Sequence, residues 1–170
     1  MEFLPITSSD DFRVQEIYTS YSSSFPEDER RDWDKFIKLF ENSNVKIISV
    51  LHESKTIGYL ILWELSNFVF VEHFEVFQEF RSQKFGSDIT GYLFENYPRI
   101  ILEIEPEHLG EDTKRRYSFY QKNGFKLLDE MYVQPSYGEG KNPIDMWLLS
   151  NYSPENLKEV KDEIYDIVYH

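Results

Sequence analysis

The stretch from Phe68 to Ile104 sets the tightest limit on how this chain can fold. Phe68–Phe77 reads as a strand and Arg81-Ser82-Gln83-Lys84 as a polar loop; a helix starts at Gly86, and Arg99–Ile104 reads as a second apolar strand. Within the helix, Ile89, Leu93 and Tyr97 recur at four-residue spacing on one face. Strand, helix and strand in that order form a crossover, so the two strands run parallel and the helix covers one face of their sheet.

The elements around this unit are antiparallel in character. Glu2–Ile6 reads as a short strand. Ser9 reads as the N-cap of a helix that carries Val14, Ile17, Tyr18 and Tyr21 and ends at Phe25-Pro26. A second helix is expected over Arg30–Phe40. Val45–Leu51, Thr56–Leu65 and Phe68–Phe77 then make a meander, the first two joined by the turn His52-Glu53-Ser54-Lys55. Asp112–Lys122 is a helix closed by Asn123-Gly124, and Phe125–Val133 and Ile144–Ser150 are the last strands. Ser153 as N-cap and Pro154 at the first helical position open a terminal amphipathic helix with Leu157, Val160, Ile164 and Ile167 on one side. The result is an α/β (α+β) layer protein with residues 1–150 as a single domain. Residues 151–170 form a helix that packs on that domain or on a partner subunit, which would make a homodimer.

Charge and composition narrow the function. With 18 basic and 31 acidic residues the chain carries a net charge of −13, which repels nucleic acid and anionic membrane surfaces and suits a small cationic or amine-bearing partner. Absence of cysteine removes thiolate metal sites and cysteine nucleophiles and fits a reducing, cytoplasmic setting. No window reaches the ~18 apolar residues of a spanning helix, and the opening MEFLPITSSDDF lacks the features of a signal peptide. His52, His108 and His170 show no paired spacing with His73, so no metal is expected. The Lys84 loop also lacks the glycine-lysine-serine/threonine order of a P-loop.

Two motifs carry the functional reading. The loop Arg81-Ser82-Gln83-Lys84-Phe85-Gly86 lies between a strand and the start of a helix, where unpaired N–H groups and the helix dipole favour an anion. Downstream, "RRYSFYQKNGFKLL" contains Tyr120, Gly124 and Phe125 in a Tyr-x-x-x-Gly-Phe pattern. In this order the two segments resemble the acyl-CoA loop and the later helix and strand of the Gcn5-related N-acetyltransferases, with Lys84 standing where that family has its first glycine. "VEHFEV", "LEIEPE" and "YVQPSYGEG" resemble more closely an uncharacterised bacterial subgroup of these enzymes.

The resemblance implies a mixed, mostly antiparallel sheet of about seven strands, splayed at its parallel pair, with helices on both faces. It implies transfer of an acetyl group from acetyl-CoA directly to a primary amine, with a catalytically silent acyl-CoA-binding sensor or interaction module on the same fold as the alternative. Under it, Arg81, Ser82, Gln83, Lys84, Phe85, Gly86 and Ser87 hold the cofactor, the last three through backbone N–H groups, and a backbone N–H near Val76 polarises the thioester carbonyl. Tyr120 takes the position of the acid for the leaving thiolate. Strict alternation puts Phe70, Glu72 and Phe74 on one face and Val71, His73 and Glu75 on the other. The resemblance implies that the face carrying Glu72 points into the acceptor cleft, which makes Glu72 the expected base, acting through water, whereas a bulge would promote His73 or Glu75. Glu103 and Glu105, near the end of their strand, are placed to hold a cationic acceptor or, for Glu105, to pair with Arg115 or Arg116. Tyr132, Gln134 and Tyr137, in or beside the long irregular segment Tyr132–Pro143, are the remaining acceptor-pocket candidates, with an ordinary hairpin connection as the plain reading.

Overall fold

β-Branched and aromatic runs alternate with turn residues to divide the chain into strands and helices. The order is β1 (Glu2–Ile6), α1 (Arg13–Ser24), α2 (Trp33–Ile37), β2 (Val45–His52), β3 (Lys55–Glu64), β4 (Val69–Val76), α3 (Phe85–Asn96), β5 (Ile100–Ile104), α4 (Glu111–Lys122), β6 (Lys126–Gln134), β7 (Ile144–Ser150) and α5 (Leu157–Val168). The structure is a computed structural model and describes all 170 residues. Its seven strands form one sheet in the order β1-β2-β3-β4-β5-β7-β6.

Every neighbouring pair is antiparallel except β4 and β5, which run parallel and stay in register only from Val69 opposite Ile100 to Val71 opposite Leu102. Beyond Val71 the two strands separate. β3 is apolar on both faces because both are covered. On one side Val14, Ile17, Tyr21, Phe36, Val160 and Ile164 pack over Ile61 and Phe70. On the other, Ile89, Leu93 and Tyr120 pack over Leu60, Leu62, Val71 and Leu102. The apolar side of α5 therefore lies against its own chain, with Val160, Ile164 and Val168 buried. No helix is long and apolar enough to cross a membrane.

Helix starts differ from the sequence reading where two polar residues compete for the cap. α1 begins at Arg13, not after Ser9, because the Asp11 carboxylate accepts the Arg13 N–H at 2.9 Å and anchors the arginine side chain as well. α5 begins at Leu157, because the Asn156 side chain accepts the N–H groups of Lys158 and Glu159; Ser153 plays no such part. The expected Arg30–Phe40 helix shrinks to α2 and a following 3₁₀ turn at Lys38–Glu41.

The difference that matters for function lies in β4. Ile61 of β3 pairs with His73 but its neighbour Leu62 pairs with Val71, so Glu72 is an extra residue that bulges out of the ladder. Strict alternation therefore fails after Glu72. Phe70, Glu72, His73 and Glu75 all face the α1/α5 side, and Phe74 turns to the α3/α4 side. At the far end of β4, Gly58 of β3 approaches so closely that a Cβ there would sit 2.2 Å from the Glu75 carbonyl oxygen.

Candidate active site

Where β4 and β5 part, they open a cavity of about 730 Å³ that runs from the loop after β4 to the turn between α1 and α2. One end is built from backbone. Ser82 (φ 64°) and Lys84 (φ 69°) both take the left-handed conformation, which folds the loop into a concave turn. Arg81 donates its N–H to Gln78, and Ser87 and Asp88 donate theirs to Lys84, while the peptide N–H groups from Ser82 to Gly86 have no partner within the chain. A run of free donors at a left-handed turn and a helix start is an anion-binding concavity.

The middle of the cavity lies along the open edge of β4. The Phe77 N–H reaches the Ile57 carbonyl on β3 at 2.8 Å, so alternation turns the polar groups of Val76 away from β3 and towards the gap. The Val76 carbonyl there accepts Arg81 Nε at 3.0 Å. Across the gap α4 presents Tyr120, which lines the cavity beside Phe74 and Phe119. Burial pushes the Tyr120 phenol up to about 12, against a smaller opposite pull from Arg116, so it keeps its proton at any physiological pH.

The other end is lined by carboxylates from separate elements: Glu29, Glu72, Glu75, Glu103 and Glu105, together with His73 and Gln134. Most are already engaged. Glu72 accepts from Arg31 at 2.7 Å, from Trp63 Nε1 at 2.8 Å and from the Tyr137 hydroxyl at 2.9 Å. Glu75 accepts from Ser20 and Ser24, Glu103 from Tyr169, and Glu105 pairs with Arg116. Desolvation raises Glu103 to about 8, with the hydroxyls of Tyr169 and Tyr132 pulling down and the negative Glu72 and Glu29 pushing up. Desolvation also lowers the pKa of the buried His73, whose Nε2 sits 3.0 Å from the Glu29 carbonyl.

No family model matches the chain. A curated Bacillus subtilis protein named as a candidate acetyltransferase, YjbC, is 24% identical over 158 residues, covering 89% of this chain and 80% of the relative. A solved Bacteroides thetaiotaomicron structure described as a candidate GNAT-family acetyltransferase superposes with a TM-score of 0.91 at 28% identity, covering 99% of this chain and 98% of the other. In sequence and fold the chain is thus similar, over nearly its whole length, to acetyltransferases of the Gcn5-related N-acetyltransferase superfamily. A GNAT-family acetyltransferase of Elizabethkingia anophelis solved with acetyl-CoA bound shares the fold at a TM-score of 0.59 and 15% identity, over 88% of this chain and 95% of that one.

The residues singled out from sequence sort into three groups. Val76, Arg81, Ser82, Lys84, Phe85, Gly86, Ser87 and Tyr120 surround the loop end and the middle of the cavity, and His73, Glu103, Glu105 and Gln134 surround the carboxylate end. Some side chains and donors do other work. Gln83 folds back onto the Glu79 carbonyl and leaves only its N–H for a ligand, and the Ser87 N–H is spent on Lys84, so of the three expected helix-start donors Phe85 and Gly86 remain.

The third group needs correction. Glu72 lines the cavity, but its oxygens are taken up by three donors, and its ion-pair partner is the buried Arg31; this geometry does not leave it free to face an acceptor. Tyr137 reaches Glu72 from the side away from the cavity, and Tyr132 is buried against Tyr165, so neither lines the acceptor pocket. Sequence reasoning did not single out Glu29 and Arg31: Pro26-Glu27-Asp28-Glu29 carries no motif, and Arg31 falls in the expected Arg30–Phe40 helix. Only the bulge and the long-range pair between Arg31 and Glu72 reveal that this stretch turns inward.

Proposed function

We propose that the protein transfers the acetyl group of acetyl-CoA directly to the primary amine of a small cationic acceptor, both substrates being bound together. The observation that carries this reading is the single cavity, which joins a cradle of free N–H groups to a carboxylate-lined end, with Tyr120 between them. The pyrophosphate lies on the N–H run from Ser82 to Gly86, beside Lys84. The thioester carbonyl meets the Val76 N–H, which is fixed in place before the reaction and stabilises charge as it develops on oxygen.

The amine enters as an ammonium ion drawn by the acidic end and loses a proton to a carboxylate there. Its nitrogen lone pair attacks the thioester carbon, the tetrahedral intermediate collapses, and the carbon–sulfur bond breaks. A phenol near 12 holds its proton more tightly than a thiol near 8.5, so Tyr120 acts first as a hydrogen-bond donor to the departing sulfur. Protonation of the thiolate completes as coenzyme A leaves.

Calorimetric titration with acetyl-CoA, followed by measurement of coenzyme A release with 1,4-diaminobutane, lysine amide and glucosamine as acceptors, tests the proposal. Micromolar binding and turnover with at least one amine are expected. Tyr120→Phe should bind acetyl-CoA within threefold of wild type and lower the maximal rate by about 100-fold or more. Tight binding with no turnover would instead favour a silent acyl-CoA-binding module.

A further inference from the structure

The α1–α2 turn brings Glu29 into the acceptor end with an unusual combination of a fixed backbone and a free carboxylate. The turn is a short 3₁₀ segment at Glu27–Glu29 with no regular partner strand. Even so, every residue from Asp28 to Arg31 is pinned through its main chain by a side chain from elsewhere. Gln134 Nε2 donates to the Asp28 carbonyl at 3.1 Å, His73 Nε2 lies 3.0 Å from the Glu29 carbonyl, Lys141 Nζ donates to the Arg30 carbonyl at 2.6 Å, and the Arg31 N–H donates to the Tyr21 hydroxyl at 2.6 Å. The Asp28 carboxylate is held in turn by the N–H and side-chain amide of Asn142.

Three of these braces, Gln134, Lys141 and Asn142, come from the end of β6 and the long loop before β7. That loop is therefore a clamp on the Glu29 turn. Among the cavity carboxylates, those of Glu72, Glu75, Glu103 and Glu105 each have a hydrogen-bond or ion-pair partner. Glu29 is only 9% exposed and lines the same cavity, but nothing donates to its carboxylate. A rigidly placed, unpartnered carboxylate facing a cavity meets the geometric requirement for a general base.

We infer that Glu29 is the base that takes the proton from the acceptor amine, with Gln134, His73, Lys141 and Asn142 as positioning residues; the inference rests on the proposed acetyl transfer. R–NH3⁺ gives one proton to the Glu29 carboxylate and the neutral amine attacks the acetyl carbon; as the tetrahedral intermediate collapses the carbon–sulfur bond breaks, the second nitrogen proton goes to the departing thiolate to give the coenzyme A thiol, and the Glu29 carboxylic acid returns its proton to solvent after the product amide leaves. The surroundings fit. Desolvation, then the negative Glu105 at the end of β5, raise the Glu29 carboxyl to about 7; Arg116 on α4 opposes this, and adjacent Asp28 adds to it, while His73 from β4 contacts only the backbone carbonyl.

The test pairs Glu29→Gln with wild type. In the absence of any acceptor, the side-chain carboxyl carbon of Glu29, labelled with ¹³C and assigned by its loss in the variant, should titrate near 7; titration in the ordinary carboxylate range overturns the assignment. With whichever amine turns over, wild-type kcat/KM should rise through the same pH range. In Glu29→Gln that rise should vanish and kcat/KM should fall by about 100-fold or more, with acetyl-CoA affinity unchanged and a thermal midpoint no lower than wild type. A variant that keeps the wild-type profile and rate overturns the role of Glu29 and leaves the transferase reading intact. Failure of wild type to bind acetyl-CoA removes the reaction itself, and the role of Glu29 with it.

Discussion

The two ends of the cavity are built by opposite means. At the loop end the free donors are peptide N–H groups from one contiguous stretch, Ser82 to Gly86, and the side chains of Arg81 and Gln83 fold back onto nearby carbonyls. At the carboxylate end the lining groups are side chains from the α1–α2 turn, β4, β5 and β6, and they rest on a buried layer in which Arg31, Glu72, Tyr137, Tyr169 and Glu103 are linked. A site made of backbone depends on local conformation and tolerates changes of side chain. A site made of distant side chains depends on every ion pair beneath it. Single substitutions should therefore separate the two ends.

The largest effect is expected from Arg31→Met. Arg31 is 8% exposed, its guanidinium donates to Glu72 and to the Val168 carbonyl, and it stacks 4.9 Å from the Tyr137 ring centroid. Removing it leaves Glu72 buried without a counter-charge, a loss of about 3–5 kcal/mol. Thermal unfolding should show a midpoint lower by about 10 °C. Below that midpoint, acetyl-CoA should still bind within threefold of wild type, because no residue of the N–H cradle touches Arg31. Loss of cofactor binding by the folded variant would break the division between the two ends.

A smaller, pH-dependent effect is expected at Glu103. Its carboxyl is raised from 4.5 to about 8, so between those values the native state holds a proton that the unfolded chain has released. Stability should then fall as pH rises through that window. Glu103→Gln keeps an acceptor for the Tyr169 hydroxyl and cannot ionise. Denaturant titrations should find the variant equal to wild type near pH 5 and more stable by about 1–3 kcal/mol at pH 8.5. A gap that stays constant with pH would mean that Glu103 is already ionised in the fold.

This contrast also explains what could be read from the sequence. The loop end of the cavity was legible because its signal is local: Phe80–Tyr97 sits between two strands in a crossover, and the Tyr120–Gly124–Phe125 pattern follows in order. The sheet was legible for the same reason, since β2 to β4 are apolar runs with short turns between them and β5 follows the crossover helix. The acceptor end was not. One extra residue in β4 moved His73 and Glu75 to the face of Glu72, and no propensity marks Glu72 as the bulge. The inward turn of Glu29 and Arg31 depends on partners roughly 40 to 140 positions away, including His73, Gln134, Lys141 and Val168, and such pairings leave no trace in a single sequence. Glu72 was the best base available to an argument from alternation, and the bulge together with Arg31 removed it.

The smallest effect sharpens the claim that the cofactor end is a backbone site. Lys84 takes the left-handed conformation (φ 69°) at the position where the superfamily has a glycine. A non-glycine residue in that conformation costs about 1 kcal/mol, so Lys84→Gly should raise stability by up to about that amount, less what glycine adds to the freedom of the unfolded chain. The turn itself should persist, because glycine adopts it readily. What the substitution removes is one positive charge beside the N–H cradle. If peptide donors carry the pyrophosphate, acetyl-CoA affinity should fall by no more than about fivefold at low salt, and the difference should fade near 0.5 M salt, where screening is strong. A loss that is larger and survives high salt would mean that the lysine side chain makes a direct, desolvated contact, and that in this chain a side chain has taken over part of the work done elsewhere by the glycine backbone.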